Sequence, residues 1–75
     1  MTTSRYPVLS PREIIRVLAK FDFVKVSQKG SHVKVKCKNS SRTAIIPMHN
    51  EIARGTLRSI LEQAGLSLEE FNRFL

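Results

Sequence analysis

The segment from His32 to Lys38 alternates strictly between polar and apolar residues, and this pattern constrains the fold more than any other part of the sequence. A period of two is typical of a β-strand with one buried face. The apolar residues would point to one side: Val33, Val35 and Cys37. The polar residues would point to the other: His32, Lys34, Lys36 and Lys38. Burying lysines without partners would cost several kcal/mol for each ion, so we expect the lysine side to face solvent.

Turn residues on either side of this segment predict two neighbouring strands. A first strand follows Asp22 and ends at a hairpin turn that comprises Lys29, Gly30 and Ser31. A second turn over residues 39–41 leads to a third strand, from Arg42 to Ile46, which Pro47 ends because proline has no backbone N–H. The sequence therefore predicts three consecutive antiparallel strands.

Helix signals stand on both sides of the predicted strands. Ser10 and Glu13 form a capping box with proline at the first helical position, which predicts a helix from Pro11 to Phe21. After a loop over residues 48–55, apolar residues at helical spacing predict a second helix that Gly65 ends: Leu57, Ile60, Leu61 and Ala64. A second capping box precedes a last short helix that carries Phe71, Phe74 and Leu75, and we expect both phenylalanines in the core.

These elements predict one α+β domain over residues 1–75, with a three-stranded antiparallel sheet and the helices on one of its faces. Residues 1–9 are expected to be a flexible N-terminal segment. The chain shows neither the apolar run of about 18 residues that a spanning helix needs nor a secretory signal, which predicts a cytoplasmic protein without a membrane partner.

The charge balance is that of a protein that binds polyanions. Thirteen Lys and Arg residues against six Asp and Glu residues give a formal charge of +7. Such an excess attracts phosphates independently of sequence, although it also suits an acidic protein or a lipid surface. The lipid surface is the poorest fit, because no helix combines a basic face with a bulky aromatic one.

The residue types leave few options for catalysis. The carboxylates are dispersed, and one cysteine with two histidines cannot complete a zinc site, so we expect no metal and no cofactor. Cys37 is expected to point inward as an inert thiol. Acid–base chemistry by a histidine among cations remains, and it is sufficient for RNA, whose ribose carries its own nucleophile in the 2′-hydroxyl. Deoxyribose lacks this hydroxyl, so DNA would stay intact.

Two sequence blocks resemble the HicA-type (YcfA-like) toxin family. The first is F-V-x-V-x-Q-K-G-S-H over residues 23–32, and the second contains I-I-P-M-H, E-I and G-T-L-R-S-I-L-E-Q-A-G-L-S up to Ser67. The resemblance covers about Pro11 to Leu75. Two blocks in the right order are far more specific than an isolated G-S-H. One departure is Asp22, where the family usually has glycine before the phenylalanine.

The resemblance implies a double-stranded-RNA-binding-domain-like fold, metal-independent cleavage of single-stranded messenger RNA, and a HicB-type antitoxin that covers the active site. The family's catalytic histidine corresponds to His32, and its flanking pair corresponds to Gly30 and Ser31. A toxin of a type II toxin–antitoxin system is the function that it predicts.

Further substrate-binding candidates come from position and charge: Lys29, Lys34, His49, Arg54 and Arg58. Each has a structural alternative. The lysines suit a solvated strand face, and His49 suits a structural role in its loop. Arg54 and Arg58 suit surface charges that pair with Glu62. Tyr6 is the only aromatic residue outside the predicted core, so we expect weak sequence preference for RNA.

Two other functions fit the same sequence. A non-catalytic module of this fold would bind RNA by shape and phosphate contacts alone. A basic adaptor would dock an acidic protein and have no affinity for RNA. The first alternative differs from the nuclease in leaving RNA intact, and the second differs from both in its partner.

Overall fold

The capping box at Ser10 starts helix α1 as the sequence predicts. In the computed structural model, which describes residues 5–75, the Ser10 hydroxyl accepts from the backbone N–H of Glu13 and the Glu13 carboxylate accepts from the backbone N–H of Ser10. Helix α1 spans Pro11–Ala19. It is two residues shorter than predicted, because the chain turns at Asp22 with φ of 69°. This left-handed conformation is one that aspartate tolerates better than most residues.

The sheet has the predicted three strands in sequence order. Strand β1 spans Phe23–Lys29, β2 spans His32–Cys37 and β3 spans Thr43–Pro47. Both neighbouring pairs are antiparallel, in the order β1-β2-β3. The predicted ends shift by a residue or two: Lys29 belongs to β1, Lys38 lies beyond β2, and Pro47 is the last residue of β3 rather than the residue after it.

Two helices follow the sheet. Helix α2 spans Arg54–Ala64, so it begins within the region predicted as loop, and Gly65 ends it in the left-handed conformation as expected. Helix α3 spans Leu68–Asn72 and starts with the predicted capping box at Ser67. The architecture is α+β, consistent with a double-stranded-RNA-binding-domain-like fold with an open sheet.

The core lies between the helices and one face of the sheet. Helix α1 contributes Ile14, Val17 and Leu18, and α2 contributes Leu57, Ile60, Leu61 and Ala64. The strands contribute Phe23, Val33, Val35, Ala44 and Ile46. Among the described residues no buried residue is polar or charged. Burial of Val33 and Val35 confirms which face of β2 points inward, and Cys37 is half-buried with its thiol donating to the carbonyl of Phe21.

The prediction of a buried Phe74 was wrong. Helix α3 ends at Asn72, and the Phe74 side chain beyond it is 47% exposed. Its ring stands edge-on to Phe21, with 5.2 Å between centroids. Phe71 is the fully buried residue of α3, and Leu68 of the same helix packs half-buried against the core.

The described part of the N-terminal segment contacts the rest of the domain. Leu9 forms an antiparallel bridge with Ile52, and Arg54 Nε donates to the carbonyl of Tyr6 at 2.9 Å. Tyr6 and Leu9 pack against the core. Flexibility of residues 1–9 stays a prediction, and its first four positions lie outside the described residues.

Candidate nucleic-acid interface

The open face of the sheet consists of three cross-strand rows, which the register defines. Residues directly opposite each other on neighbouring strands share a face. The first row is Lys29, His32 and Pro47, the second is Ser27, Lys34 and Ile45, and the third is Val24, Lys36 and Thr43. We call these nine residues the open face. A histidine and two lysines follow one another along its central strand.

A β-bulge in strand β1 determines which side chains join this face. The register slips between Lys25 and Ser27, so Val26 has no partner on β2. Without the slip, Phe23 would fall on the open face, and Val24 and Val26 on the buried one. The bulge instead buries Phe23 and leaves Val24 40% exposed beside Lys36. Bulges bend a strand and redirect side chains next to functional sites.

His32 is exposed and lines an open groove of about 510 Å³. The other lining residues are Ser27, Lys29, Lys34 and Ile45. Lys29 is the direct partner of His32 across the hairpin, and Lys34 is two residues further along β2. The groove therefore combines an imidazole, two ammonium groups, a hydroxyl and one apolar wall. Three of the sequence-predicted site residues meet here: Lys29, His32 and Lys34.

The turn before His32 is held by the side chain of Gln28. Its Nε2 donates to the carbonyl of Gly30 at 3.2 Å, and its Oε1 accepts from Lys25 Nζ at 2.8 Å. Gly30 has φ of 58°, and a methyl group in place of its hydrogen would meet no atom within 4 Å. Gly30 and Ser31 thus form a two-residue turn with open space at the Cβ position of Gly30.

His49 lies at the same end of the sheet as His32. Pro47, two residues earlier, is the direct partner of His32, and the backbone N–H of Met48 donates to the carbonyl of Ser31 at 2.6 Å. The His49 side chain is exposed and does not line the groove. The contact fixes the loop beside the turn without placing the second imidazole in the groove.

The two candidate arginines have partners within the protein. Arg54 Nε donates to Tyr6, and Arg58 Nε lies 3.3 Å from Glu62 Oε2 in an exposed pair one helical turn apart. Ala53 precedes helix α2 at the N-cap position and provides no side-chain cap. Neither arginine lines the groove. The structural alternative for Arg58, a pair with Glu62, is therefore present.

The open face carries no negative charge. All six acidic residues lie on helices, caps, turns or loops: Glu13, Asp22, Glu51, Glu62, Glu69 and Glu70. Asp22 accepts from Asn39, and two of the others close capping boxes. Glu62 forms an ion pair with Arg58 on helix α2, away from this face. The ammonium groups of Lys34 and Lys36 consequently have no anionic partner among the described residues.

Residues that sequence reasoning missed are Ser27, Gln28 and Ile45. The signal for Ser27 was available, because a two-residue turn pairs Lys29 with His32 and so places Ser27 opposite Lys34. Alternation in β3 likewise places Ile45 opposite Lys34 once Ala44 and Ile46 are buried. The role of Gln28 required coordinates, since its position in the hairpin does not reveal a bond to Gly30.

Over residues 5–75, no group of three or more His, Cys, Asp and Glu side chains could hold a metal ion. No helix in the same stretch combines the length and the apolar character needed to cross a membrane.

Comparison with known protein families gives a match over most of the chain. Residues 11–66 match a family model described as the HicA toxin of bacterial toxin–antitoxin systems. This range contains all three strands, helices α1 and α2, and every residue of the open face. Comparison with curated proteins gave no significant match.

Proposed function

The chain belongs to the HicA toxin family, and we propose from this premise that it is an endoribonuclease that cleaves single-stranded messenger RNA with His32 as its acid–base residue. Membership makes it a toxin of a bacterial toxin–antitoxin system. The observation that supports the nuclease is the exposed imidazole of His32 in a groove with Lys29 and Lys34.

The reaction needs only RNA, the side chains of this groove and solvent water, which exchanges the proton that His32 does not transfer. The 2′-oxygen attacks the adjacent phosphorus, and the bond from phosphorus to the 5′-oxygen of the next nucleotide breaks. One proton leaves the 2′-hydroxyl and one reaches the departing 5′-oxygen, which leaves a 2′,3′-cyclic phosphate and a 5′-hydroxyl. His32 performs one of these two transfers, an effect worth about 10²- to 10⁴-fold. The ammonium groups of Lys29 and Lys34 stabilise the negative charge that builds on the phosphate.

The remaining predicted residues would position the substrate. Gly30 and Ser31 offer a turn whose free side lets a phosphate approach the backbone, and His49, Arg54 and Arg58 supply further positive or hydrogen-bonding groups at the periphery. Arg58 would have to exchange its contact with Glu62 for one with RNA, a small cost because exposed ion pairs contribute only about 0.2–1 kcal/mol.

The partner would be a HicB-type antitoxin that covers the open face. Two exposed apolar side chains among the cations support this idea: Val24 and Ile45, which are 40% and 39% exposed. An acidic surface with apolar contacts would match them. A messenger RNA substrate would place the action in the cytoplasm.

The deciding experiment measures cleavage of single-stranded RNA in EDTA. We expect the wild-type protein to cut and His32→Gln to leave RNA intact, with an unchanged unfolding temperature. The matched control is His49→Gln, which removes the other imidazole at this end of the sheet and should retain cleavage with weaker substrate binding. DNA of the same sequence should stay intact.

Each contrary result has a definite meaning. Undiminished cleavage by His32→Gln would remove the assignment of that residue. Binding without cleavage by the wild type would indicate a non-catalytic RNA-binding module, and an absence of RNA binding would indicate a basic adaptor. In cells, expression should arrest growth, and co-expression of the protein encoded next to this gene should restore it.

A further inference from the structure

Lys36 belongs to the same face as His32 but lies outside the groove. It occupies the third row of the open face, between Val24 on β1 and Thr43 on β3. Its side chain is exposed and has no anionic partner among the described residues. The cleavage reaction proposed for the groove therefore does not use Lys36.

The spacing along β2 suits an extended polyanion. Residues two apart on a strand are separated by about 6.8 Å. That separation is comparable to the separation of successive phosphates in an extended single strand. His32, Lys34 and Lys36 therefore occupy positions along β2 whose spacing matches the distance between successive phosphates. The apolar neighbours Ile45 and Val24 lie beside these two lysines, where riboses or bases of the same strand would sit.

The row of charges runs in one direction only. His32 is the first residue of β2, and on its other side the strand gives way to the Gly30–Ser31 turn. Both further lysines of β2 lie toward Cys37. An RNA strand whose scissile phosphate lies at His32 would meet these charges on one flank of the cleaved bond.

We propose that Lys34 and Lys36 form a phosphate-binding track on β2, which holds the RNA strand through phosphates on a single side of the scissile bond. The proposal rests on the proposed function for the position of the cleaved bond, but the track itself binds phosphate whether or not cleavage occurs. Lys34 contacts the scissile phosphate or its neighbour, and Lys36 contacts a phosphate one or two nucleotides further along.

Binding measurements test the track without cleavage. The probe is an oligouridylate of about 12 nucleotides, bound to the His32→Gln protein over a range of salt concentrations. Log affinity falls as log salt rises, and each lost phosphate contact on a single strand reduces the steepness of that fall by about 0.7. When Lys36→Gln is added to the His32→Gln protein, the loss of affinity between 50 and 200 mM salt should therefore be about 2.5-fold smaller than for His32→Gln alone.

The control variant is Lys20→Gln. Lys20 is an exposed lysine at the end of α1, in the helix layer, so its substitution removes the same charge away from the open face. The two variants have equal net charge. If both variants reduce the steepness of the salt dependence equally, the effect is one of net charge and the track is wrong. The track is also wrong if Lys36→Gln leaves the salt dependence unchanged.

Cleavage measurements test the one-sided arrangement. The substrate is a DNA oligonucleotide with one ribonucleotide, so that a single bond can be cut, and with one neutral methylphosphonate at successive positions on either side. At one position, two or fewer nucleotides from the cut, the modification should raise KM for the wild type and not for Lys36→Gln. The proposal would be overturned if positions on both sides of the cut, or no position, showed a KM increase that depends on Lys36.

The two proposals fail separately. If the wild type never cleaves RNA but the salt slope falls with Lys36→Gln alone, the nuclease assignment fails and the track stands. If cleavage depends on His32 while Lys36→Gln changes neither the slope nor KM, the track fails and the nuclease stands. Should Lys36→Gln weaken only the complex with the antitoxin, this lysine serves the protein partner and the track is wrong.

Discussion

The side-chain amide of Gln28 donates a hydrogen bond to the carbonyl of Gly30, so one residue of strand β1 restrains the turn that leads into His32. The same side chain accepts from Lys25, which fixes its amide orientation. Gln28 lies on the helix side of the sheet, opposite Val33, and therefore does not reach the groove. Its contribution to cleavage would be to position His32.

Gln28→Ala should lower the cleavage rate without a large change in KM, because it loosens the turn and leaves the groove cations in place. An exposed hydrogen bond of this type contributes about 1 kcal/mol to stability. Asn39→Ala is the matched control, since the Asn39 side-chain amide donates to the Asp22 carboxylate at the other end of the sheet, away from the groove. Equal losses of activity in the two variants would mean that stability alone is responsible.

Gly30 and Gly65 both have positive φ but differ in their surroundings, so alanine substitutions at the two positions compare the cost of backbone conformation with the cost of a close contact. Alanine in this conformation costs about 1–2 kcal/mol. A methyl group at Gly30 meets nothing, whereas at Gly65 it would lie 2.6 Å from the Arg42 guanidine carbon. Arg42 is exposed and its side chain can move aside. We therefore expect Gly30→Ala and Gly65→Ala to lower the free energy of unfolding by similar amounts.

Denaturant unfolding of the double variant Gly65→Ala/Arg42→Ala checks this explanation. The double variant should show little coupling between the two changes. Substantial recovery of stability on adding Arg42→Ala would mean that Arg42 is held rigidly against the end of α2.

The two phenylalanines near the C-terminus should differ sharply in their effect on stability. Phe71 is fully buried, so Phe71→Ala should cost about 3–5 kcal/mol. Phe74 is half exposed and stands edge-on to Phe21, so Phe74→Ala should cost only about 1 kcal/mol. Thermal unfolding of both variants measures the difference, and similar losses would contradict the burial seen here.

Acid should weaken the protein through its capping boxes. The backbone N–H of Ser10 lowers the pKa of Glu13 below 4.5, and Ser67 does the same for Glu70, in each case with help from the serine side chain. A lowered native pKa favours the ionised form in the folded state. The resulting stability is therefore present above pH 4.5 and is lost as the pH falls through the native values.

Unfolding temperatures measured from pH ~6 to pH ~3 test this dependence. The double variant Glu13→Gln/Glu70→Gln should start less stable than the wild type and lose less stability on acidification. Parallel curves for the two proteins would assign the acid sensitivity to other groups.

Much of the fold follows from local sequence signals. Capping boxes start α1 and α3, Gly65 ends α2, and alternation defines β2 and its buried face. The elements are short and adjacent in sequence, so neighbouring strands pair with one another. The predicted ends of the elements were less accurate. Phe21 fits the pattern of α1 but is excluded from the helix by the turn at Asp22. Lys38 fits the alternation of β2 but lies beyond the last paired residue of that strand.

Strand β1 shows why local signals were insufficient elsewhere. Its sequence contains apolar residues at positions 23, 24 and 26, which no single alternation can bury together. The larger Phe23 fills the core opposite Cys37, and a bulge at Val26 absorbs the mismatch. The outcome depends on the space available under the helices, which is a property of the packed domain.

Part of the candidate site could likewise be predicted from the sequence, and part depended on tertiary packing. The grouping of Lys29, His32 and Lys34 follows from hairpin register and can be derived from the sequence. The positions of Arg54 and Arg58 depend on how α2 rotates against β3 and on the N-terminal segment, whose carbonyl at Tyr6 receives Arg54. Such contacts are set by tertiary packing.

The short connections between strands affect how soon the sheet and its His32 groove form. Two residues join β1 to β2 and five join β2 to β3, so the whole sheet assembles from neighbouring segments. Proteins dominated by such local pairings fold quickly. A newly synthesised chain would therefore present a finished His32 groove soon after leaving the ribosome, and an inhibitor would have to be present in advance and recognise the native surface rather than intercept an unfolded chain.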